Sequence, residues 1–357
     1  MKSSLLACAL LALFPACARA QSDSVQLYGR LNLALESVHG GAGGGMLRES
    51  SYRSVFGLRG SEALGGSLRL VWQIENALAP DTGSGGLAAR DSRIGLEGRW
   101  GTLFGGNWTT PYNAATASLD PFYPTTAGYM SIMGNGAAPS SGNLDNIASF
   151  DRRQHNSLHY WTPAWRGLSL RVAHGFSEER PASGARPALS SGALQFEHGP
   201  LYLTFAHEQH RDYQGPGGTD RGSKVGAAWQ FGSVRVALAG ERLRYRTASG
   251  ALRRDAWFAS ASHKRGPHAL QLAVAKAGDG KGTARERIGF IAAGPDTGAL
   301  HATLGYEYAL SRRTAAYAMH SRIHNDARGR VDFAINGLAP GEGAQLRVTA
   351  LGLRHSF

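Results

Sequence analysis

Residues 25–36 read VQLYGRLNLALE, and they sort onto two faces with a period of two. Val25, Leu27, Leu31, Leu33 and Leu35 share one face; Gln26, Tyr28, Arg30, Asn32 and Glu36 share the other. Successive side chains of a strand point to opposite sides, so this stretch is a strand with one apolar and one polar surface. Residues 68–76 repeat the pattern, with Leu68, Leu70, Trp72 and Ile74 set against Arg69, Val71, Gln73 and Glu75. A soluble β-sandwich needs the same alternation, so the spacing of the breaks has to decide.

The breaks alternate between very short and long. Short turns fall near 62–66, 100–101, 164–166, 199–200, 232–233, 265–267 and 311–313; longer Gly/Pro/Ser/Asp-rich stretches lie between them, among them 37–50, 77–89 and 212–221. Tight turns on one side and long loops on the other are the mark of an outer-membrane barrel. One strand pair with its turn and loop takes about 42 residues, which predicts about eight pairs and hence sixteen antiparallel strands. Closure has a physical cause: in hydrocarbon every unpaired backbone amide costs several kcal/mol, so the sheet can have no edge. Tyr28, Trp100, Phe104, Trp165, Trp229, Phe231 and Tyr308 fall near strand ends and are expected at the membrane interfaces.

The first twenty residues read as a cleavable export signal. Lys2 supplies a positive start, an apolar run follows from Leu5 to Ala16, and Ala18-Arg19-Ala20 is a small-x-small cleavage pattern. The apolar run is too short for a spanning helix, which needs about 20 residues. Residues 21–357 are then one barrel domain. Both cysteines, Cys8 and Cys17, fall in the signal, leaving no thiol for a disulfide, a metal site or a nucleophile. No later stretch carries 18 consecutive apolar residues, which excludes helical spans. The net charge of +12 could suggest nucleic acid. The arginines, however, alternate with apolar residues along strands instead of forming a patch, so no nucleic-acid partner is expected.

One loop is exceptional. Residues 109–151 hold Asp120-Pro121-Phe122, several glycines and an amide-rich tail at 143–146. A structureless loop that long is usually functional, and within a wide barrel it is expected to fold inward and narrow the lumen. Other chemistry finds little footing. His207 and His210 would point to opposite faces of a strand, and His155 and His159 would sit about 13 Å apart along one, so no metal is expected. Lys281 is followed by Gly282 and by no helix, unlike a phosphate loop, and no Gly-x-Ser-x-Gly elbow occurs. A barrel hydrolase is the rival reading, but no Ser/His/acid set stands out, and no cofactor is called for.

Five blocks carry a family resemblance: LYG at 27–29, GLRGSEALGGSLRLVWQIE at 57–75, NSLHYWTPAWRG at 156–167, LGYEYALSRRTAAY at 304–317 and LGLRHSF at 351–357. In that order they resemble the general porins of Gram-negative bacteria, particularly the β-proteobacterial trimeric type, over essentially the whole exported chain. The resemblance implies a homotrimer in outer-membrane lipid and lipopolysaccharide. It also implies that the barrel-assembly machinery reads Phe357, with Leu353 and Leu351 alternating outward beside it. The pattern departs from the family at Asn107 and Val55, where arginines are usual; Arg53 lies two residues before Val55.

A pore needs no catalytic residue; it needs fixed charges around a narrow aqueous gap, whose low-dielectric walls amplify the field on a passing ion. Strand parity turns Arg30, Arg53 and Arg93 inward, and adjacent strands lie about 4.8 Å apart, so a basic wall is expected. The inner loop opposes it with Asp120, Asp145 and Asp151, and Arg152 and Arg153 stand at its exit. The excess of positive charge predicts a channel for small hydrophilic solutes that favours anions. The alternative is that these arginines pair with Glu36, Glu75 or Glu97 and only brace the wall.

Overall fold

The computed structural model describes residues 24–130, 132–136, 147–178 and 184–357. The proposed signal and Asp145 lie outside the described residues.

Sixteen strands, each antiparallel to its neighbours in sequence, close into one barrel among the described residues. The first half runs β1 (Ser24–Gly41), β2 in two segments (Gly44–Ser51 and Ser54–Gly65), β3 (Leu68–Ala79), β4 in two segments (Ser84–Gly86 and Ser92–Gly98), β5 (Gly101–Thr109), β6 (Arg153–Trp161), β7 (Leu168–Gly175) and β8 (Ala188–His198). The second half runs β9 (Leu201–Arg211), β10 (Thr219–Phe231), β11 (Val234–Thr247), β12 (Gly250–Arg265), β13 (His268–Ala277, continued at Lys281–Gly282), β14 (Ala299–Ala309), β15 (Thr314–Asn325) and β16 (Gln345–Ser356). β16 closes on β1 in a register from Arg30 opposite Ser356 to His39 opposite Arg347. Every edge is thereby paired, as hydrocarbon requires.

The alternation read in β1 holds. Val25, Leu27, Leu31 and Leu35 face out, whereas Asn32, Ala34, Glu36 and Val38 are buried inside. Outward Val225, Leu238, Leu270, Leu304 and Leu351 continue the apolar surface around the barrel. The predicted short turns all appear between strands. The stretch 37–50 differs: β1 and β2 run on as a hairpin, pairing Val38 with Met46 and Gly41 with Gly44. Its glycines read as loop, yet cross-strand hydrogen bonds hold them extended.

Two predicted girdle residues turn inward. Tyr28 lies across from Gly57, and its hydroxyl donates to Glu75 Oε2 at 3.1 Å. Phe104 is buried against Trp108, His159 and Trp161. Trp100, Trp165, Trp229, Phe231 and Tyr308 are exposed at strand ends or turns, as an interfacial belt requires.

The barrel interior holds a packed cluster. Leu119, Phe122, Met130, Ile132 and Met133 of the inner loop pack with Val331, Phe333 and Ile335 of the loop between β15 and β16. The lumen is therefore narrowed from two loops.

Candidate functional site: the constriction

The inner loop leaves β5 through a short helix, α1 (Pro111–Ala114). Thr110 caps it by accepting from the Asn113 N–H at 3.3 Å, and Pro111 takes a first-turn position where no N–H is needed. The chain then crosses the lumen and is tied to the far wall. Glu241 on β11 accepts from the Tyr112 hydroxyl and from the Gly134 N–H, each at 2.7 Å. Lys224 on β10 donates to Thr116 Oγ1 at 2.8 Å and lies 4.2 Å from the Tyr112 ring centre. Tyr202 and Ser260 hydroxyls donate to the carbonyls of Ala115 and Leu119, each at 2.6 Å, and Arg254 donates to the Ile132 carbonyl. Asn32 on β1 donates to Thr125 O at 2.7 Å. Few of these bonds could be foreseen, since their partners lie up to 141 residues apart.

Asn135 joins the inner loop to the loop between β13 and β14. Its amide donates to Ile288 O and Tyr245 Oη, and its Oδ1 accepts from the Phe290 N–H at 2.9 Å.

The structure brings Arg30 and Arg53 together. Arg53 has φ +50° in the break between the two segments of β2, and Arg30 Nη2 donates to its carbonyl oxygen at 3.0 Å. The Arg53 guanidinium lies 4.9 Å from the centre of the Tyr129 ring, and Asp151 and Arg153 are among the charges it feels. Arg153 bonds Asp91 at 2.6 Å, and Arg90 bonds Glu75 at 2.8 Å. Thr109 also donates to Asp91, from its N–H and from its hydroxyl.

The glutamates proposed as alternative partners are taken by other arginines: Glu36 by Arg48 at 2.7 Å, Glu75 by Arg90, and Glu97 by Arg69 at 3.9 Å. Among the described residues, no carboxylate lies within ion-pairing distance of Arg30, Arg53 or Arg93.

Arg93 stands apart from the other two. Its guanidinium sits in an aromatic box 4.7 Å from Phe104, 4.5 Å from Trp108 and 5.1 Å from Trp161, and Glu97 and Asp91 are the strongest acidic charges it feels. Ring faces are negative, so a cation is held there without a carboxylate. Arg152 is buried over the Tyr213 ring at 4.9 Å.

The two described loop acids differ in their surroundings. Asp120 turns into the loop itself, accepting from the N–H groups of Phe122 at 2.9 Å and Met130 at 3.0 Å. Burial pushes its carboxyl up to about 7, against the pull of those two bonds. Asp151 shares a cleft with Tyr123, Tyr129 and Lys224 and lies within the field of Arg53 and Arg153. Burial raises its carboxyl, and Arg53, Lys224 and Arg153 oppose that rise. Lys224, Glu75 with Arg90, and Asp91 complete the charge pattern. Parity marks Lys224 and Glu75 as inward, but the pairings depend on the loop's path.

A sequence model of Gram-negative porins matches residues 7–328. Outer membrane porin protein 32 of Delftia acidovorans is 27% identical over 373 residues, with both chains fully covered. Among solved structures, the anion-selective porin from Comamonas acidovorans superposes with a TM-score of 0.81 at 24% identity, covering 94% of this chain and 100% of that one. The trimer form of OmpT from Vibrio cholerae superposes with a TM-score of 0.69 at 15% identity, covering 94% and 100%. A closed sixteen-stranded barrel, a loop tied across its lumen and a family match over most of the sequence agree: the chain belongs to the Gram-negative porin family and forms a diffusion channel through the outer membrane.

Proposed function

We propose that the channel favours anions and that Arg30 and Arg53 set the preference. The observation that carries this reading is their adjacency without a carboxylate partner, whereas neighbouring Arg90 and Arg153 are each neutralised by an acid. Asp151 is the described loop acid whose charge Arg53 feels, and Lys224 lines the same cleft. The excess positive field is felt in a narrow gap with low-dielectric walls, where a solute anion gains and a cation loses. Passage is passive, and the charges only bias which hydrated ions and small polar solutes dwell there. The anion-selective Comamonas porin, alike in fold, supports the reading by analogy.

The finer assignments follow the same view. Residues 1–20 are removed on export, and three copies assemble in a membrane whose outer leaflet is lipopolysaccharide. Phe357, Leu353 and Leu351 guide insertion by the barrel-assembly machinery. The test is the zero-current potential of single channels in a potassium chloride gradient. Anion preference is expected; a channel preferring potassium would overturn the proposal.

A further inference from the structure

A cavity of about 600 Å³ opens on the lumen at the periplasmic ends of β4 to β8, below the aromatic box of Arg93. Thr102, Trp161, Ser169, Arg171, Gln195 and Glu197 are among the residues that line it. Their parity is inward, opposite to that of Leu103, Leu168, Leu170 and Leu194, which are exposed on the lipid side. Sites that hold small molecules usually enclose about 300–1,000 Å³, so the space suits a solute and not only water.

The strands set these side chains in rows. Trp161 on β6 is directly opposite Arg171 on β7, and Thr102 on β5 is directly opposite Trp161. Two residues nearer the turn, Ser169 on β7 is opposite Gln195 on β8. The two rows are therefore about 7 Å apart along the strand. Glu197 follows two residues after Gln195, at the periplasmic end of β8.

The polar groups of these rows lack partners in the protein. The Arg171 guanidinium lies 4.8 Å from the centre of the Trp161 ring. A ring face holds a cation without consuming its N–H groups, which leaves the fork free for a carboxylate. Among the described residues, no carboxylate lies within ion-pairing distance of Arg171, and the side chains of Thr102, Ser169 and Glu197 make no hydrogen bond. Gln195 is buried; it gives an amide N–H to the Tyr202 hydroxyl at 2.8 Å and keeps its own carbonyl oxygen unbonded.

One free cation surrounded by hydroxyl, amide and carboxylate oxygens suits a solute with one carboxylate and several hydroxyls. Its carboxylate takes the Arg171 fork through two parallel bonds. Its hydroxyls reach Thr102, Ser169 and the Gln195 oxygen, and the Glu197 carboxylate accepts one more. Glu97 and Glu197 both line the cavity and oppose a second negative charge, which disfavours phosphates and dicarboxylates. We infer that this cavity is a binding site for monoanionic sugar acids, the hexuronate class, at the inner mouth of the channel. Binding there is weak enough to release the solute, as conduction requires. The inference rests on the channel itself and not on the selectivity assigned to Arg30 and Arg53.

The test uses the full protein in planar bilayers, with glucuronate added as the probe to either side. A saturable fall in the potassium chloride current is expected. R171Q and R171K should each raise the half-blocking concentration about tenfold, the lysine because it keeps the charge but not the fork. T102V/S169A, which changes no charge, should raise it about fivefold. R235Q removes an inward cation from the same mouth, on β11 and outside the cavity, and should leave the block as it is. Acetate lacks the hydroxyls and glucose lacks the charge, so each should block about tenfold more weakly than glucuronate. A response to glucuronate that does not saturate would overturn the inference. Equal block by acetate, or equal weakening in R235Q, would also overturn it and assign the effect to the general field of the mouth. Equal block by alanine would refute it in favour of zwitterions. Should R171Q fail to fold, R171K decides. Zero-current potentials of the same channels, taken before glucuronate is added, report separately on the pore reading.

Discussion

Arg30 Nη2 donates to the main-chain carbonyl oxygen of Arg53 at 3.0 Å, so the Arg30 guanidinium is held against the Arg53 backbone by a bond that neutralises neither arginine. The carbonyl is available because Arg53, at φ +50°, sits outside the regular ladder between the two segments of β2. A break in one strand thus sets the charge density of the wall.

Removing that charge should change selectivity. A unit charge about 5 Å from a passing ion is worth about 0.8 kcal/mol even at the dielectric of water. Because that charge lowers the energy of an anion and raises that of a cation, R30Q and R53Q are each expected to lower the anion-to-cation permeability ratio about fifteenfold, and the double variant to approach no preference. R93Q should alter it less, because that cation is shielded by three rings. Zero-current potentials in a salt gradient measure all four. An R93Q effect equal to that of R30Q would show the division of roles to be wrong.

Glu241 is expected to govern the position of the inner loop. One carboxylate receives both Tyr112 Oη and Gly134 N, and hydrogen bonds to a charged group contribute about 1.5–3 kcal/mol each. E241A should raise open-channel current noise and proteolytic cleavage within the loop, leaving the barrel folded. E241Q, which can still accept one of the two bonds, should fall between. Quiet E241A channels would place the anchor elsewhere.

Asp120 should make the loop sensitive to pH. Its carboxyl is raised from 3.8 to about 7 by burial. Below about pH 4 the group is protonated whether the loop is docked or not, and the stabilisation from burying it neutral is complete. As pH rises through about 7 that stabilisation is lost, at no more than about 1.4 kcal/mol per pH unit. The loop should therefore resist protease better at pH 5 than at pH 8, and D120N should remove most of the difference. An unchanged pH dependence in D120N would assign it to another group.

Phe357 packs on Gly29 at the barrel seam. Backbone bonds of 3.0 and 3.1 Å join the two residues, and a Cβ added at Gly29 would come within 2.4 Å of the Phe357 ring. G29A is expected to destabilise the folded barrel by about 1–3 kcal/mol through overpacking. F357A should lower stability and insertion yield, and the G29A/F357A pair should be little worse than F357A alone. Heat-modifiable electrophoresis reads each; additive losses would mean that the ring does not depend on the glycine.

The strands, their count and their facing were legible from the order of residues alone. Period-two alternation reflects the pleat, a property of local backbone geometry, and hydrocarbon then demands closure whatever the side chains do. The inward parity of Arg30, Arg93 and Lys224 follows from the same rule. Parity says nothing about partners. Arg153 meets Asp91 across 62 residues, and Tyr112 meets Glu241 across 129. Such pairs form only when the inner loop has taken its path, and that path depends on many weak bonds to walls distant in sequence. Asp120 has the composition of an eyelet acid, yet it closes a turn on Phe122 and Met130. Tyr28 and Phe104 have the composition of girdle residues, yet they serve Glu75 and Arg93 inside. Residue type and spacing determined the barrel and its wall of inward arginines. Only the tertiary structure decided which charges stay unpaired, because pairing is settled by long-range contacts that a local repeat cannot encode.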